Sequence, residues 1–208
     1  RGVVEPSEAR PVNFLAWTTT PWTLAANSGL AVRADAEYAL VEAPLRRREP
    51  GGPRELYLLA RELAPQVFEA GTYEVLRSVP GATLAGVGYR PLLVGRPGDG
   101  ADMGSAYRVV TDDFVSLTDG TGIVHVAPSY GDLDVGRAHG LPAIFSVDLT
   151  GKVMPEVRLV TDAAVTGPGP YTGVWFKDAD AAITADLDVA GRMFAFGTIR
   201  HAYPFNWR

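Results

Sequence analysis

Twenty-three glycines and sixteen prolines divide this 208-residue chain into short pieces, and that punctuation limits its folding more than any other feature. Proline removes an amide donor and glycine tolerates positive φ, so both tend to end regular elements. Most of the pieces between them look like strands. "VNFLAWTT", residues 12–19, is rich in aromatic and β-branched side chains and reads as a strand ended by Pro21. "GLAV" and "EYALVEA" read as a strand pair about the Ala34-Asp35 turn, and "YEVLRSV" and "AIFSVD" as further extended segments. "YRVVTDDFVS" and "TGIVHVAP", joined by "LTDGTG", have the pattern of a β-hairpin. Residues 80–104 are dense in glycine and proline and are expected to form turns and short extended pieces.

Helical signals are fewer. Thr20 is expected to cap a short helix that has Pro21 at its first position and runs to about Ala26 before Asn27-Ser28-Gly29. "ELYLLARELAPQVFEAG", 55–71, reads as a strand followed by a helix capped at Gly71. "DLDVGRAHG" is a second helix, with Asp132 as its N-cap. "FKDADAAITADLDVAGRMF", 176–194, is the clearest, with Asp178 and Asp180 favouring its first turn and Gly191 near its end. Short strands outnumber helices without regular βα alternation. The expected fold class is therefore α+β, a β-barrel-rich domain with a few peripheral helices.

A chain with 47% hydrophobic residues can bury one good core, so 1–208 is taken as a single domain. Nineteen basic and 24 acidic residues give a net charge of −5, without acidic runs and with one dense basic cluster, Arg46-Arg47-Arg48, in the loop 44–53. A solvated turn accounts for that cluster; phosphate contact is the alternative reading. Net charge offers no polyanion footprint, so any nucleic acid must be held locally. Cysteine is absent, which excludes disulfides, thiol catalysis and cysteine-based zinc sites, and suits a reducing cytoplasm. No apolar run approaches the roughly 20 residues that cross a bilayer, so no membrane partner is expected. The closing "HAYPFNWR" ends on an aromatic-basic stretch without a tail, as expected of a segment from a larger chain.

Two segments carry chemistry. In "WTTTPWTLAANSG", 17–29, a strand would point Thr18 and Thr20 to one face and Thr19 to the other, with Thr23 following a turn later. Capping and β-propensity would explain these residues without a site. In "DGTGIVHVAPSYGDLD", 119–134, His125 sits between valines, where a lone histidine is commonly a hydrogen-bonded core residue. If Asp132 is the cap, Asp134 lacks a structural task beyond the helix dipole. A strand-borne imidazole and a helix-borne carboxylate suit a small ligand with an ammonium group. There is no G-x-S-x-G elbow, H-E-x-x-H motif or Walker loop, nothing marks Ser129 as an activated nucleophile, and the three histidines are too dispersed for a metal centre.

Together "WTTTPWTLAAN", "GTGIVHVAPSYGDLD" and "HAYPFNWR" resemble the inserted editing domain of isoleucyl-tRNA synthetases, a class I aminoacyl-tRNA synthetase family. Valyl and leucyl relatives place an arginine where Thr20 stands. The resemblance covers roughly residues 12–42, 107–150 and 171–208, and the nucleotide-binding signatures of the synthetic site are absent. It implies hydrolytic proofreading of the tRNA for isoleucine mischarged with valine, with the remainder of a parent synthetase as a second partner and a cytoplasmic setting. No cofactor is implied for this domain; ATP with magnesium is implied for the full-length enzyme.

The resemblance also implies roles. Thr18, Thr19, Thr20 and Thr23 would surround the aminoacyl group and position water, and Trp22 would form an apolar wall. Asn27 would steady the loop or the terminal adenosine, His125 would limit side-chain length, Asp134 would hold the α-ammonium, and Tyr203 would close the pocket or stack near adenosine. Asp132 competes with Asp134, which the spacing from His125 favours. The family commonly has a cysteine where Asn206 stands and a serine where Ala202 stands, so no zinc role is expected at that edge. The rival readings are a non-catalytic tRNA-docking module and a valyl- or leucyl-type editing domain.

Overall fold

The computed structural model describes residues 10–45, 52–161 and 167–197. Strands β1 (Val12–Phe14), β2 (Gly29–Val32), β3 (Glu37–Pro44), β4 (Arg54–Ala60) and β5 (Glu74–Pro80) make up the first part, with the short helix α1 (Ala64–Val67) between the last two. Strands β6 (Leu93–Val94), β7 (Arg96–Pro97), β8 (Arg108–Thr111) and β9 (Val124–Val126) precede helix α2 (Leu133–His139). Strands β10 (Ile144–Phe145) and β11 (Arg158–Leu159) and helix α3 (Phe176–Val189) complete the described elements. The fold is α+β. Its ladders form a four-stranded sheet β1-β4-β3-β5, a three-stranded sheet β8-β2-β9, and the pairs β7-β10 and β6-β11.

The two larger sheets face each other across one core. Leu30, Val32, Val109 and Ile123 from one meet Tyr38, Leu40, Leu58, Ala60 and Val79 from the other. Backbone links stitch their edges: Trp17 bridges Val124, and Ala60 N–H donates to the Thr121 carbonyl at 2.9 Å. The outer face of β3 and β4 is covered as well, where Val41, Tyr57 and Leu59 pack with Ala64 and Phe68 beside α1. Burial on both faces explains why "YALVEA" lacks a clean alternation. A separate cluster joins Ala25 and Leu93 to Val153, Val157 and Tyr171 and to the Ala179-Ile183-Leu187 stripe of α3. That four-residue spacing sets one helix face against the body.

Several local expectations change. β2 and β3 flank the Ala34-Asp35 turn but enter different sheets. β8 and β9 do not form a hairpin, because β2 lies between them, parallel to β8 and antiparallel to β9. All four residues of β2 are buried, and a buried strand needs backbone partners on both edges. β1 stops at Phe14, so the threonines follow a strand and do not lie on one. Residues 21–26 form a 3₁₀ turn, with Thr23 N–H donating to the Thr20 carbonyl at 3.0 Å. α1 ends at Val67, with Phe68 already extended, so Gly71 is not its cap.

The "GTG" segment has a steric cause. Gly122 has φ +69° and lies against Ala60, with its carbonyl accepting the buried Tyr38 hydroxyl at 2.6 Å. A Cβ at 122 would collide with the Ala60 methyl and disfavour the backbone conformation. Gly122→Ala is expected to lower unfolding free energy by about 2–4 kcal/mol, the sum of overpacking and left-handed strain. Denaturant titration read by intrinsic fluorescence measures this.

Candidate functional site

A cleft of about 370 Å³ opens between the threonine segment, the loop before β9 and the start of α2. Its walls include Thr18, Thr19, Thr20 and Thr23 on one side and His125, Tyr130 and Asp132 on the other. Two half-exposed aromatics, Trp17 at 47% and Phe114 at 44%, also line it and leave ring surface at the mouth.

The register of β9 against β2 places His125 opposite Leu30, while the chain before β2 folds back over the same edge. His125 Nε2 therefore reaches Thr18 Oγ1 at 3.2 Å and Thr23 Oγ1 at 3.4 Å. Both oxygens have other commitments. Thr18 Oγ1 accepts from Thr20 N–H at 3.1 Å, and Thr23 Oγ1 donates to the Thr20 carbonyl at 2.7 Å. With its proton so directed, Thr23 can only accept from the ring. Nδ1 is buried without a partner, which a bare lone pair tolerates better than an N–H. The network thus assigns the proton to Nε2, making His125 a donor to the hydroxyl cluster.

Burial lowers the His125 pKa, and the nearby Asp132 charge opposes that shift only in part. The ring is therefore neutral at pH 7. It forms an uncharged wall, and with Nε2 protonated it offers the cluster no base.

Asp132 Oδ2 accepts the Ala127 N–H at 2.8 Å. Asp132 holds the N-cap position of α2 but makes no side-chain cap bond; its carboxylate turns back toward β9 and the cleft. Gly131, with φ +118°, supplies the bend. Asp134 sits exposed in the first turn of α2 and is not among the cleft-lining residues. The spacing from His125 favours Asp134, but the structure brings Asp132 to the threonines instead.

Other expected residues take supporting positions. Thr20 stands at the N-cap of the 3₁₀ turn without a side-chain cap bond, its Oγ1 lying 3.0 Å from Thr23 Oγ1. Trp22 is not a lining residue. It packs behind Tyr130 at a 4.8 Å centroid distance and 73°, with Phe176 of α3 on its other side at 4.8 Å and 62°. Tyr130, which the sequence reading missed, supplies the aromatic wall, and its hydroxyl accepts the Ser146 and Val147 amides at 3.0 Å each. Asn27 is buried, donating to the Gly29 carbonyl at 2.7 Å and accepting the Tyr89 hydroxyl, so it braces the turn into β2. Tyr203, Ala202, Asn206 and Arg46–Arg48 lie outside the described residues.

No protein-family model matches the chain. Isoleucine–tRNA ligases do. That of Treponema denticola is 38% identical over 205 residues, covering 94% of this chain and 17% of the relative. That of Methanothermobacter thermautotrophicus is 39% identical over 198 residues, again 94% and 17%. The Dehalococcoides mccartyi enzyme is 34% identical over 219 residues, 99% and 19%. Among solved structures, the P. falciparum cytosolic leucyl-tRNA synthetase editing domain superposes with a TM-score of 0.64 at 11% identity, covering 92% of this chain and 81% of that one. The P. knowlesi counterpart gives 0.58 at 12%, covering 88% and 83%. The chain belongs to the isoleucyl-tRNA synthetase family, and its fold is that of the leucyl-tRNA synthetase editing domains. It spans 17–19% of the length of the curated relatives it matches. Among the described residues no helix is long and apolar enough to cross a membrane.

The His125 shift has a pH consequence for this isoleucyl-tRNA synthetase segment. Its folded pKa lies below the ordinary 6.5, so the unfolded chain takes up the proton first as pH falls. Stability contributed by neutral His125 is complete above about pH 6.5 and declines below it. Thermal melts from pH 7.5 to 5 are expected to show the wild type losing more stability than His125→Gln over that window. Parallel declines would contradict the assignment.

Proposed function

We propose that this segment hydrolyses valine wrongly esterified to the tRNA for isoleucine. One observation carries the reading: the threonines of the 18–23 segment, an uncharged imidazole, a tyrosine ring and the Asp132 carboxylate share one amino-acid-sized cleft, with Asp119 as the second carboxylate of its lining. Family membership supports tRNA as the partner and the rest of a synthetase as the body that delivers its acceptor end.

The chemistry follows from the groups present. With Oδ2 held by the Ala127 amide, Asp132 keeps Oδ1 for the substrate α-ammonium, a charge-assisted contact. Asp132 thus takes the anchor role that the sequence spacing assigned to Asp134. The aminoacyl side chain would lie against Tyr130 and His125, whose backing by the Ser146 and Val147 amides and by the threonines leaves little room to yield. A methylene contributes only about 1–3 kcal/mol of discrimination at a synthetic site, a magnitude for which this synthetase family is itself the standard case. A second site that admits valine and excludes isoleucine supplies the remainder.

An aminoacyl ester is already activated, so a strong protein nucleophile is unnecessary. The Thr18 and Thr19 hydroxyls can donate to the developing oxyanion, and Thr20 Oγ1, whose proton goes to Thr23, can accept from the attacking water and orient it. The neutral His125 adds no charge that would oppose the ammonium. The exposed faces of Trp17 and Phe114 at the mouth suit stacking by the terminal base of the tRNA.

Offered both esters of the tRNA for isoleucine, a synthetase carrying this segment is expected to deacylate the valyl ester faster than the isoleucyl ester. Equal rates, or none, would overturn the reading. Asp132→Ala is expected to lower kcat/KM for the valyl ester by about 10- to 100-fold, the loss of one hydrogen-bonded charge, with Asp134→Ala within about twofold of wild type. The reverse order would return the anchor to Asp134.

A further inference from the structure

The turn that carries the cleft threonines starts with an unmet polar group. The Trp22 N–H belongs to the first turn of Pro21–Ala26, where no carbonyl of the turn can reach it. The usual solution is a hydroxyl at the N-cap, and Thr20 stands there, but its side chain makes no cap bond. The acceptor comes from far along the chain: Asp180 Oδ1 takes the Trp22 N–H at 2.8 Å.

Asp180 does not sit where its residue type predicts. It lies four residues after Phe176 and three before Ile183, next to buried Ala179, on the face of α3 that packs against the turn. An apolar side chain would fit that stripe. Burial pushes the Asp180 carboxyl upward and the Trp22 amide pulls it back, as expected of a carboxylate retained at an interface for one bond.

We propose that Asp180 is a positioning residue of the cleft: by capping the turn from α3, it leaves the Thr20 hydroxyl to Thr23 and the cavity and fixes Trp22 behind Tyr130. The catalytic consequence rests on the editing reading above; the structural latch does not. Loss of the acceptor would bring the Thr20 hydroxyl back onto the amide, withdrawing it from the reacting groups. Binding of the tRNA body would be untouched.

The test uses a synthetase carrying this segment. Asp180→Ala is expected to lower kcat for valyl-tRNA deacylation by roughly tenfold or more, with KM within about twofold and aminoacylation unchanged. Asp180→Asn, which still offers an oxygen to Trp22, is expected to restore most of the rate. In a Thr20→Val background the Asp180→Ala loss should shrink to about twofold or less, because both changes remove the same hydroxyl. Multiplicative losses, or an Asn variant as impaired as the Ala variant, would overturn the proposal. Hydrogen exchange of the peptide spanning Trp22 should accelerate in Asp180→Ala and not in Asp180→Asn. That readout stands even if the wild type hydrolyses no ester, an outcome that would sink the editing reading alone, and unchanged exchange would sink the latch. Should alanine unfold the segment, Asp180→Glu, which keeps the charge and displaces the oxygen by a methylene, carries the same expectations.

Discussion

Everything in the cleft is measured from β2. Its four buried residues take β8 on one edge and β9 on the other, and the β9 register sets His125 opposite Leu30. The chain entering β2 is the threonine turn itself, so one ladder brings residues 17–28 against 124–132. A one-residue slip would turn His125 to the opposite face of the sheet, away from the hydroxyls. That slip is opposed from both sides, since Ala31 and Val126 pack with Leu141 while Leu30 packs with Ile123 and Leu58. The site inherits its precision from hydrophobic packing on two faces of one short strand.

Charge within the cleft is sparing for a physical reason. A buried imidazolium beside the Thr18 and Thr23 hydroxyls would lack the hydrogen-bond capacity that water provides, and desolvation keeps the ring neutral. Asp132 lines the cleft with one oxygen engaged by the Ala127 amide. A neutral hydroxyl wall stands opposite the half-satisfied Asp132 carboxylate, the arrangement that supports the proposed ester substrate.

The sequence reading found the two segments that meet, because threonines crowded between indoles and a histidine within "GTGIVHVAP" are unusual in composition. It also identified α3, whose apolar spacing is regular, and the overall α+β class. It misjudged what depends on chain geometry. The turn "LTDGTG" has hairpin composition, but composition does not say that a third strand will enter between its arms. Counting residues from His125 selects Asp134, whereas the left-handed Gly131 rotates the chain so that Asp132 faces the cleft and Asp134 faces solvent. Nothing local distinguishes Tyr130 as a wall aromatic from a loop aromatic; its hydroxyl partners, Ser146 and Val147, lie sixteen and seventeen residues on, just after β10. Asp180 reads in sequence as a helix-dipole residue, although a carboxylate inside an apolar helical stripe is the available signal.

Short turns of this kind cannot be both self-sufficient and functional. Six residues are far below the length at which a helix stands alone, so the turn must be held by neighbours. A threonine at its start can satisfy the orphan amide or face a ligand, and one hydroxyl proton and two lone pairs do not serve both well. Borrowing the acceptor from α3 resolves the conflict at the expense of a partly buried carboxylate, which the Trp22 amide offsets. The bond closes a sequence separation of 158 residues. The cleft is therefore complete only when α3 has docked, and its hydroxyl geometry belongs to the whole fold, not to the motif that carries the hydroxyls.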